Sequence, residues 1–316
     1  MDRRGMKTCG PCAVNLAAVV ILCRGKCGLS PCTTRYLVAM AAADLLLIVS
    51  EVLLRQISYH HFPESFLHIT PVCRIVFLLV RTSTDYSVWF TVVFTFDRFV
   101  AICLQKLRTK YCTEKTAVVV LGTTGILLAL KNIPHYFTIE PWEIINNIPW
   151  DCHTKASIFI EPGWVGYDWF DSVLTPLLPF AFILLLNVLT VKYILVASRI
   201  RRRLRGANSA DAAHDPEMES RRKSVILLFG LSANFILLWT VALAHFLYYT
   251  IAGKNPTDYN ASEYNFHKVG FMLINLSCCT NTFIYGVTQS KFREQILFAV
   301  RYPVLPVILL IRRFRK

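Results

Sequence analysis

A carboxylate surrounded by neutral polar side chains lies within the apolar part of this sequence. Asp44 stands in Met-Ala-Ala-Ala-Asp-Leu-Leu-Leu, where an ionisable group costs roughly 2.5–3.5 kcal/mol to insert into a bilayer and therefore usually marks function. Hydroxyls and amides predicted at similar depth belong to Asn15, Ser87, Ser277 and Asn281. One carboxylate with neutral oxygens suits a small hard cation such as sodium, or a protonation switch. The alternative is a neutral Asp44 that hydrogen-bonds neighbouring helices.

Two opposite charges, Arg81 and Asp85, stand four residues apart and therefore share one face of a helix. Arg81 follows Cys73 by eight residues, which is about 12 Å of helix. A zwitterionic or peptide ligand could use both charges at this depth, whereas the alternative is an ion pair that satisfies itself. Further candidates for this ligand pocket are Thr84, Trp239, His245 and Tyr249. Isolated aromatic and histidine side chains in a helical bundle more often serve only packing.

A second charged motif, Asp97-Arg98-Phe99, follows at a distance that corresponds to one membrane crossing. Arg98 lies 25 residues after Cys73, about 37 Å of helix, so the two residues mark opposite faces of a hydrocarbon layer about 30 Å thick. An acid beside an arginine at such a boundary is by itself a weak signal.

Long apolar runs must position these side chains. The hydrophobic set makes up 54% of the 316 residues and charged residues only 17%, which is too apolar for an ordinary soluble domain. Seven runs approach or exceed the roughly 20 residues needed to cross a bilayer: 8–23, 36–55, 73–103, 115–137, 169–197, 224–251 and 266–287. Backbone groups in lipid must be satisfied within such runs, and the alternation of a barrel strand is absent. The sequence predicts an all-α membrane protein with a seven-transmembrane helix bundle.

The excess of basic residues, formally +14, alternates along the chain. Basic clusters follow the first, third, fifth and seventh spans, and the intervening loops are acidic. The positive-inside rule then predicts a multi-pass plasma-membrane protein with its N-terminus outside and its C-terminus in the cytoplasm. The basic surfaces are expected to meet anionic lipid headgroups. Nucleic acid is not expected as a partner, because no basic stripe is interleaved with aromatics outside the spans.

This topology places two cysteines on the same side of the membrane. Cys73 and Cys152 both face the oxidising compartment, so a disulfide between them is expected, and two unpaired thiols are the alternative.

The first span is short and is preceded by Arg3, Arg4 and Lys7 on the side that should be poor in cations. A truncated or mis-started first helix is the preferred interpretation, and a secretory signal peptide is the alternative.

In combination, these residues resemble the rhodopsin-like, or class A, G-protein-coupled receptors over nearly the whole chain. The resemblance rests on Asn15, Asp44, Cys73 with Cys152, Asp97-Arg98-Phe99 in place of Asp-Arg-Tyr, Pro179, Phe235, Trp239, and Asn281-Thr-Phe-Ile-Tyr285. It implies that Asp97 holds Arg98 until activation releases it toward a G protein, while Trp239 and Phe235 rearrange beneath the ligand. The same coupling and activation switch is expected to include Phe99, Asn187, Asn281 and Tyr285. It also implies a sodium pocket formed by Asp44, Ser87 and Asn281. Residues 291–298 match the family's amphipathic eighth helix.

The departures from the family pattern bear on activation. Val241 and Thr282 stand where the family has prolines that kink helices 6 and 7, and such kinks are the hinges about which these helices swing. Asn187 occupies a helix-5 position where many relatives carry tyrosine. Together with the segment around Ser87, these features resemble the branch of G-protein-coupled receptors 139 and 142. That branch implies aromatic amino acids or small peptides as ligands and coupling chiefly to the Gq class.

Other readings and segments complete the expectations. A secondary transporter would predict an internal repeat, which is not apparent, and the motifs of an intramembrane enzyme are absent. A receptor relic that folds without signalling is a further alternative.

Residues 208–220 are predicted to form a disordered loop, because they lack apolar periodicity. Asn260-Ala-Ser262 is a candidate glycosylation site.

Overall fold

A computed structural model describes residues 3–25, 27–204, 216–252 and 259–301, and its regular structure is mainly helical. The helices labelled here are α1 (Arg3–Cys23), α2 (Pro31–His61), α3 (Thr70–Cys103), α4 (Glu114–Thr138), α5 (consecutive segments Pro162–Ser172, Val173–Leu177 and Leu178–Leu204), α6 (Pro216–Ala252), α7 (Ala261–Thr288) and α8 (Ser290–Arg301). A two-turn helix, Gln105–Tyr111, connects α3 to α4. The architecture is the expected seven-helix bundle with an additional helix after the seventh.

Length and composition allow six of the described helices, α2 to α7, to cross a membrane. The first helix contributes a shorter apolar stretch, Cys12–Cys23, which agrees with the short first span in the sequence. Exposure supports lipid as the solvent, since only 17% of the most apolar window of α4 is buried inside the protein, and the same holds for α5. Large side chains such as Ile126 and Leu127 on α4 are more than 60% exposed. An apolar surface of this size requires lipid or protein to cover it.

Polar caps explain where several helices begin. Ser30 accepts a hydrogen bond from the Thr33 amide at 3.2 Å, and Pro31 occupies the first turn of α2, where a missing N–H costs nothing. The helix therefore starts five residues before the predicted boundary at residue 36 and ends at His61 rather than at residue 55. The apolar pattern of the sequence did not reveal either end of α2, because polar residues form the first and last turns of this helix.

The fifth helix is interrupted, although the sequence predicted a continuous span over 169–197. Thr175 has φ −147° and ψ 109°, values that are extended rather than helical. The cause is Pro176, whose ring disfavours the helical conformation of the preceding residue. The segment Pro162–Ser172 before this break brings polar residues of α5 toward α3 and α4.

The connection between α4 and α5 folds over one end of the bundle. Strand β1 (Ile139–Glu140) pairs with β4 (His153–Thr154), and β2 (Glu143–Ile145) pairs with β3 (Ile148–Trp150), both antiparallel. The β2–β3 turn is formed by Asn146 and Asn147, whose φ values of 50° and 64° are those that a tight hairpin requires. A disulfide between Cys73 and Cys152 ties this connection to α3, as predicted. This end is called the disulfide end below, and the opposite end is called the Arg98 end.

Two apolar clusters fill the described interior. The cluster near the Arg98 end joins α1, α2, α3, α7 and α8, and its large members include Leu22, Tyr36, Phe94, Tyr285 and Phe292. The second cluster lies around the middle of the bundle and includes Val88, Ile183, Phe235, Trp239 and Cys278. Phe292 is fully buried against Tyr285, with ring centroids 5.9 Å apart. This contact fastens α8, predicted over 291–298, to the end of α7.

The predicted loop over 208–220 falls partly on the described chain. Residues 208–215 lie outside the described residues, and 216–220 are helical because α6 begins at Pro216. The expectation of disorder is therefore wrong for 216–220. Proline favours the first turn of a helix, a signal that apolar periodicity does not contain.

Candidate functional site

Asp44 of α2 is 1% exposed and is held by two neighbouring helices. The Ser87 hydroxyl of α3 donates to Oδ1 at 2.6 Å, and Nδ2 of Asn281 of α7 donates to Oδ2 at 2.9 Å. Each carboxylate oxygen thus has its own donor, as a buried acid requires. The structure brings together these three residues of the predicted sodium pocket.

A further predicted member of that pocket, Ser277, is linked to Asp44 through Asn234 and Asn281. Asn234 of α6 donates to the Asn281 side-chain oxygen at 3.0 Å and to the Ser277 carbonyl at 3.3 Å. The Thr280 hydroxyl donates in turn to the Asn234 side-chain oxygen at 2.7 Å. Asn234 was missed at sequence level, although an amide within an apolar helix is itself a signal of a polar contact.

Asn15 connects α1 to α7 through a residue that departs from the family pattern. The Thr282 hydroxyl donates to the Asn15 side-chain oxygen at 2.8 Å, and Asn15 Nδ2 donates to the Cys278 carbonyl at 3.2 Å. All three residues are buried. Threonine where relatives carry proline therefore supplies a hydrogen bond between helices and leaves α7 unbroken.

The donor set around Asp44 fits a small hard cation. The carboxylate and the Ser87 hydroxyl converge within 2.6 Å, and hard oxygen ligands of this kind suit such ions. The sulfur of Cys278, 3.9 Å from the Ser87 oxygen, is a soft neighbour that adds no ligand of the right type.

A buried charge cluster joins α3, α4 and α5 toward the disulfide end. The Lys131 ammonium lies between two carboxylates, 2.6 Å from Asp85 Oδ2 and in direct contact with Asp171. All three side chains are less than 10% exposed. Asn132 also donates to Asp85 Oδ2, at 2.6 Å. Since one cation serves two anions, the three residues together carry one negative charge.

Arg81 balances that charge from a more open position. Its guanidinium is 3.5 Å from Asp171 Oδ2 and lies over the Phe77 ring, and its side chain is 43% exposed. The predicted alternative, an internal pair between Arg81 and Asp85, is wrong, because Asp85 faces α4 while Arg81 faces α5. Lys131 and Asp171 were missed, although a lysine within the predicted span 115–137 is the signal that should have revealed the cluster.

The remaining candidates for the ligand pocket lie in aromatic contacts. The Trp239 and Phe235 rings stack with centroids 5.2 Å apart in the middle of the bundle. His245 is buried against Tyr249 and His267, with centroid separations of 4.4 and 4.8 Å. The Thr84 hydroxyl donates to a carbonyl of its own helix. These positions provide apolar walls rather than charged contacts.

A further buried acid near the disulfide end was also missed at sequence level. Glu51 of α2 is 2% exposed and contacts the Arg55 guanidinium and the Gln56 amide. Glu51 and Arg55 both lay within the predicted span 36–55, so the acid had the same sequence signal as Asp44.

At the Arg98 end, Asp97 and Arg98 are paired and buried, at 5% and 7% exposure. Arg98 Nε donates to Asp97 Oδ2 at 2.9 Å, and its Nη1 donates to the Ser224 hydroxyl of α6 at 3.4 Å. Phe99 is only half-buried. The guanidinium thus connects α3 to α6 through a neutral hydroxyl.

Three other predicted switch or modification residues have distinct surroundings. Asn187 of α5 is buried, and its amide donates to the Ile183 carbonyl of its own helix at 2.7 Å. Tyr285 is fully buried, and its hydroxyl has no hydrogen-bond partner among the described residues. Asn260 is exposed and caps α7, accepting from the Glu263 amide at 2.9 Å. Its side-chain nitrogen is therefore not the atom that forms the cap.

The chain matches the model of the 7 transmembrane receptor (rhodopsin family) over residues 14–285. Because this match covers most of its length, the chain belongs to the rhodopsin family of seven-transmembrane receptors. It is a multi-pass membrane receptor of the G-protein-coupled class and not an enzyme. This membership favours the receptor over the transporter that the sequence left open.

Individual relatives are distant. The C-C chemokine receptor type 1 of Macaca fascicularis is 23% identical over 291 residues, which cover 89% of this chain and 74% of that receptor. The G-protein coupled estrogen receptor 1 of Mus musculus is 23% identical, with coverages of 86% and 67%. The FMRFamide receptor of Drosophila melanogaster is 20% identical, with coverages of 90% and 50%. Their different names leave the ligand of this chain open.

Replacement of Lys131 by methionine is predicted to destabilise the receptor strongly. Asp85 and Asp171 would remain buried without their shared cation, and breaking a buried ion pair typically costs about 3–5 kcal/mol. The measurement is thermal unfolding of the purified protein in detergent, where Lys131→Met should unfold at a clearly lower temperature. Adding Asp85→Asn and Asp171→Asn should restore much of the loss.

The matched control is Lys268→Met, which removes an exposed lysine that lies over Tyr264 of α7. This variant should unfold at nearly the wild-type temperature. Equal unfolding temperatures for Lys131→Met and Lys268→Met would show that the buried cluster does not hold the helices together.

Proposed function

We propose that this receptor binds a ligand outside the plasma membrane at the disulfide end and activates a heterotrimeric G protein at the cytoplasmic Arg98 end. The basic clusters after the odd-numbered spans support this orientation. The observation that carries the proposal is the contact of buried Arg98 with both Asp97 and Ser224. An arginine held in this way is a switch between two sets of partners.

The two partners of Arg98 differ in strength. Asp97 forms a charge-assisted pair with Arg98 within α3, whereas Ser224 of α6 contributes one neutral hydrogen bond at 3.4 Å. Outward movement of α6 therefore breaks only the weaker contact. Release of the pair with Asp97 would in turn free the guanidinium to bind the G protein.

A continuous set of contacts supports coupling between the two ends. Trp239 and Phe235 of α6 pack against Cys278 of α7 in the middle cluster. Asn234, the residue next to Phe235, connects α6 to Asn281 and hence to Asp44. The buried Tyr285 hydroxyl lacks a partner among the described residues, as expected of a side chain that gains one on activation.

The proposed ligand is an aromatic amino acid or a small peptide, and the proposed transducer is of the Gq class. Both follow from the resemblance to the branch of receptors 139 and 142. Arg81 supports the ligand class, because its exposed guanidinium can bind a carboxylate, and the rings of Trp239 and His245 offer apolar walls. A relative named FMRFamide receptor also favours a peptide.

We further propose that sodium binds beside Asp44 and stabilises the resting arrangement. Asp44 and Ser87 would hold the ion, and Asn281 would keep the carboxylate oriented. Sodium bound there would draw α2, α3 and α7 together through opposite charge. The ion thus opposes any rearrangement that separates these helices.

Nucleotide exchange on purified Gq, Gi, Gs and G12 proteins tests the proposed function. The receptor in lipid nanodiscs should accelerate exchange when phenylalanine, tryptophan or short peptides ending in phenylalanine amide are added, with Gq responding most. Arg98→Ala should abolish the response. Arg81→Ala should reduce agonist potency about tenfold or more, because a charge-assisted contact contributes roughly 1.5–3 kcal/mol.

Arg74→Ala is the matched control for Arg81→Ala, since Arg74 also lies on α3 but contacts the Tyr136 ring. Its potency should remain near wild type. A wild-type receptor that reaches the cell surface and stays silent with every transducer and compound would favour the non-signalling relic.

Sodium binding predicts an ion-dependent affinity. Replacing sodium by potassium at equal ionic strength should raise agonist affinity at least about fivefold, the lower end of typical allosteric coupling. Asp44→Asn should bind agonist equally in both salts. Equal wild-type affinity in sodium and potassium, measured by radioligand competition, would contradict the proposed ion site.

A further inference from the structure

A thiol holds the second oxygen of the Asp97 carboxylate. Both Arg98 nitrogens that contact Asp97 bind Oδ2, whereas Cys32 Sγ of α2 donates to Oδ1 at 3.2 Å. Asp97 and Cys32 are 5% and 2% exposed. The carboxylate is thus shared between an arginine on its own helix and a thiol on the neighbouring helix.

The first turn of α2 places Cys32 firmly. Ser30 caps this helix and Pro31 fixes its first backbone angle, so the next residue has little freedom. Cys32 also belongs to the apolar cluster that contains Tyr36 and Phe94. The Arg98 guanidinium lies 5.9 Å from the centre of the Phe94 ring, so the thiol, the acid and the arginine share one packed region.

A second thiol contacts the backbone of the same residue. Cys112, between α3 and α4, donates from Sγ to the Asp97 carbonyl at 3.6 Å. Burial and the nearby Asp97 raise the pKa of the Cys112 thiol to about 11, so it keeps its proton at cytoplasmic pH. Its role is that of a donor rather than a reactive thiolate.

We propose that Cys32 is a positioning residue that holds Asp97 Oδ1 and thereby keeps Asp97 paired with Arg98 in the resting receptor. This inference rests on the proposed role of Arg98 as the activation switch. Without the S–H donor of Cys32, Asp97 Oδ1 loses a buried hydrogen bond, which destabilises the ionised carboxylate. When the ionised form of Asp97 is less stable, it holds the Arg98 guanidinium less tightly. The active arrangement of the receptor then becomes more populated.

Agonist-independent nucleotide exchange in nanodiscs tests the role of the thiol. Cys32→Val fills the buried space with a somewhat larger apolar side chain and removes the donor, and it should raise basal exchange about threefold to tenfold, the factor expected for one buried hydrogen bond. Cys32→Ser restores a donor and should remain within about twofold of wild type. Loss of packing alone would raise basal exchange more in Cys32→Ser, which has the smaller side chain, than in Cys32→Val.

Cys27→Val is the matched control, because Cys27 belongs to the same apolar cluster but its thiol faces the Ile21 carbonyl at 3.8 Å. Its basal exchange should equal that of wild type. Equal basal exchange in wild type, Cys32→Val and Cys27→Val would overturn the inference while leaving agonist-driven signalling, and hence the proposed function, intact.

An infrared measurement tests the contact independently of signalling. The S–H stretch of Cys32, identified as the band that Cys32→Val removes from the purified receptor, should lie below that of Cys27, because a carboxylate is the stronger acceptor. Asp97→Asn should shift this band to higher frequency. A Cys32 band that does not respond to Asp97→Asn would overturn the inference even for a receptor that shows no exchange.

Discussion

A polar side chain inside a bilayer must find its hydrogen-bond partner within the protein, because lipid offers none. In this chain several buried polar side chains meet the requirement between helices. Asp44 is satisfied by α3 and α7, and Lys131 by α3 and α5. Each such contact fixes the rotation of two helices at once. The arrangement of the bundle therefore depends on a small number of buried polar residues.

The way in which buried charges are compensated differs between the two ends of the bundle. Toward the disulfide end the charges are tightly compensated, and Arg81 is the partly exposed member of the cluster formed with Asp85, Lys131 and Asp171. At the Arg98 end, the polar contact described between α3 and α6 is one neutral hydrogen bond from Arg98 to Ser224, beside the apolar packing of Leu227 and Leu231. Under the proposed function, a tightly compensated ligand-binding end and a weakly closed G-protein end would allow the receptor to respond to ligand by moving one helix.

The sequence predicted the bundle and the disulfide, because apolar length and motif spacing are local properties. Of the residues assigned to the Asp44 pocket, Ser87 and Asn281 contact the carboxylate in the structure. The sequence prediction failed for Arg81 and Asp85, whose partners depend on the rotation of α4 and on the break before Pro176 in α5. Thr282 shows the same limit. The sequence marked it only as a missing proline, and the structure shows a hydrogen bond to Asn15. Which partner a buried group chooses is decided by packing, which no single segment contains.

The most direct test of this account is a double-mutant cycle on the contact between Asn15 of α1 and Thr282 of α7, measured as thermal stability of the purified receptor. The two side chains are buried and 2.8 Å apart. Asn15→Leu and Thr282→Val should each destabilise, and the double variant should lose about 1 kcal/mol less than the sum, the size of a hydrogen bond between membrane helices. Strictly additive losses would contradict the claim that buried polar contacts hold the helices in register.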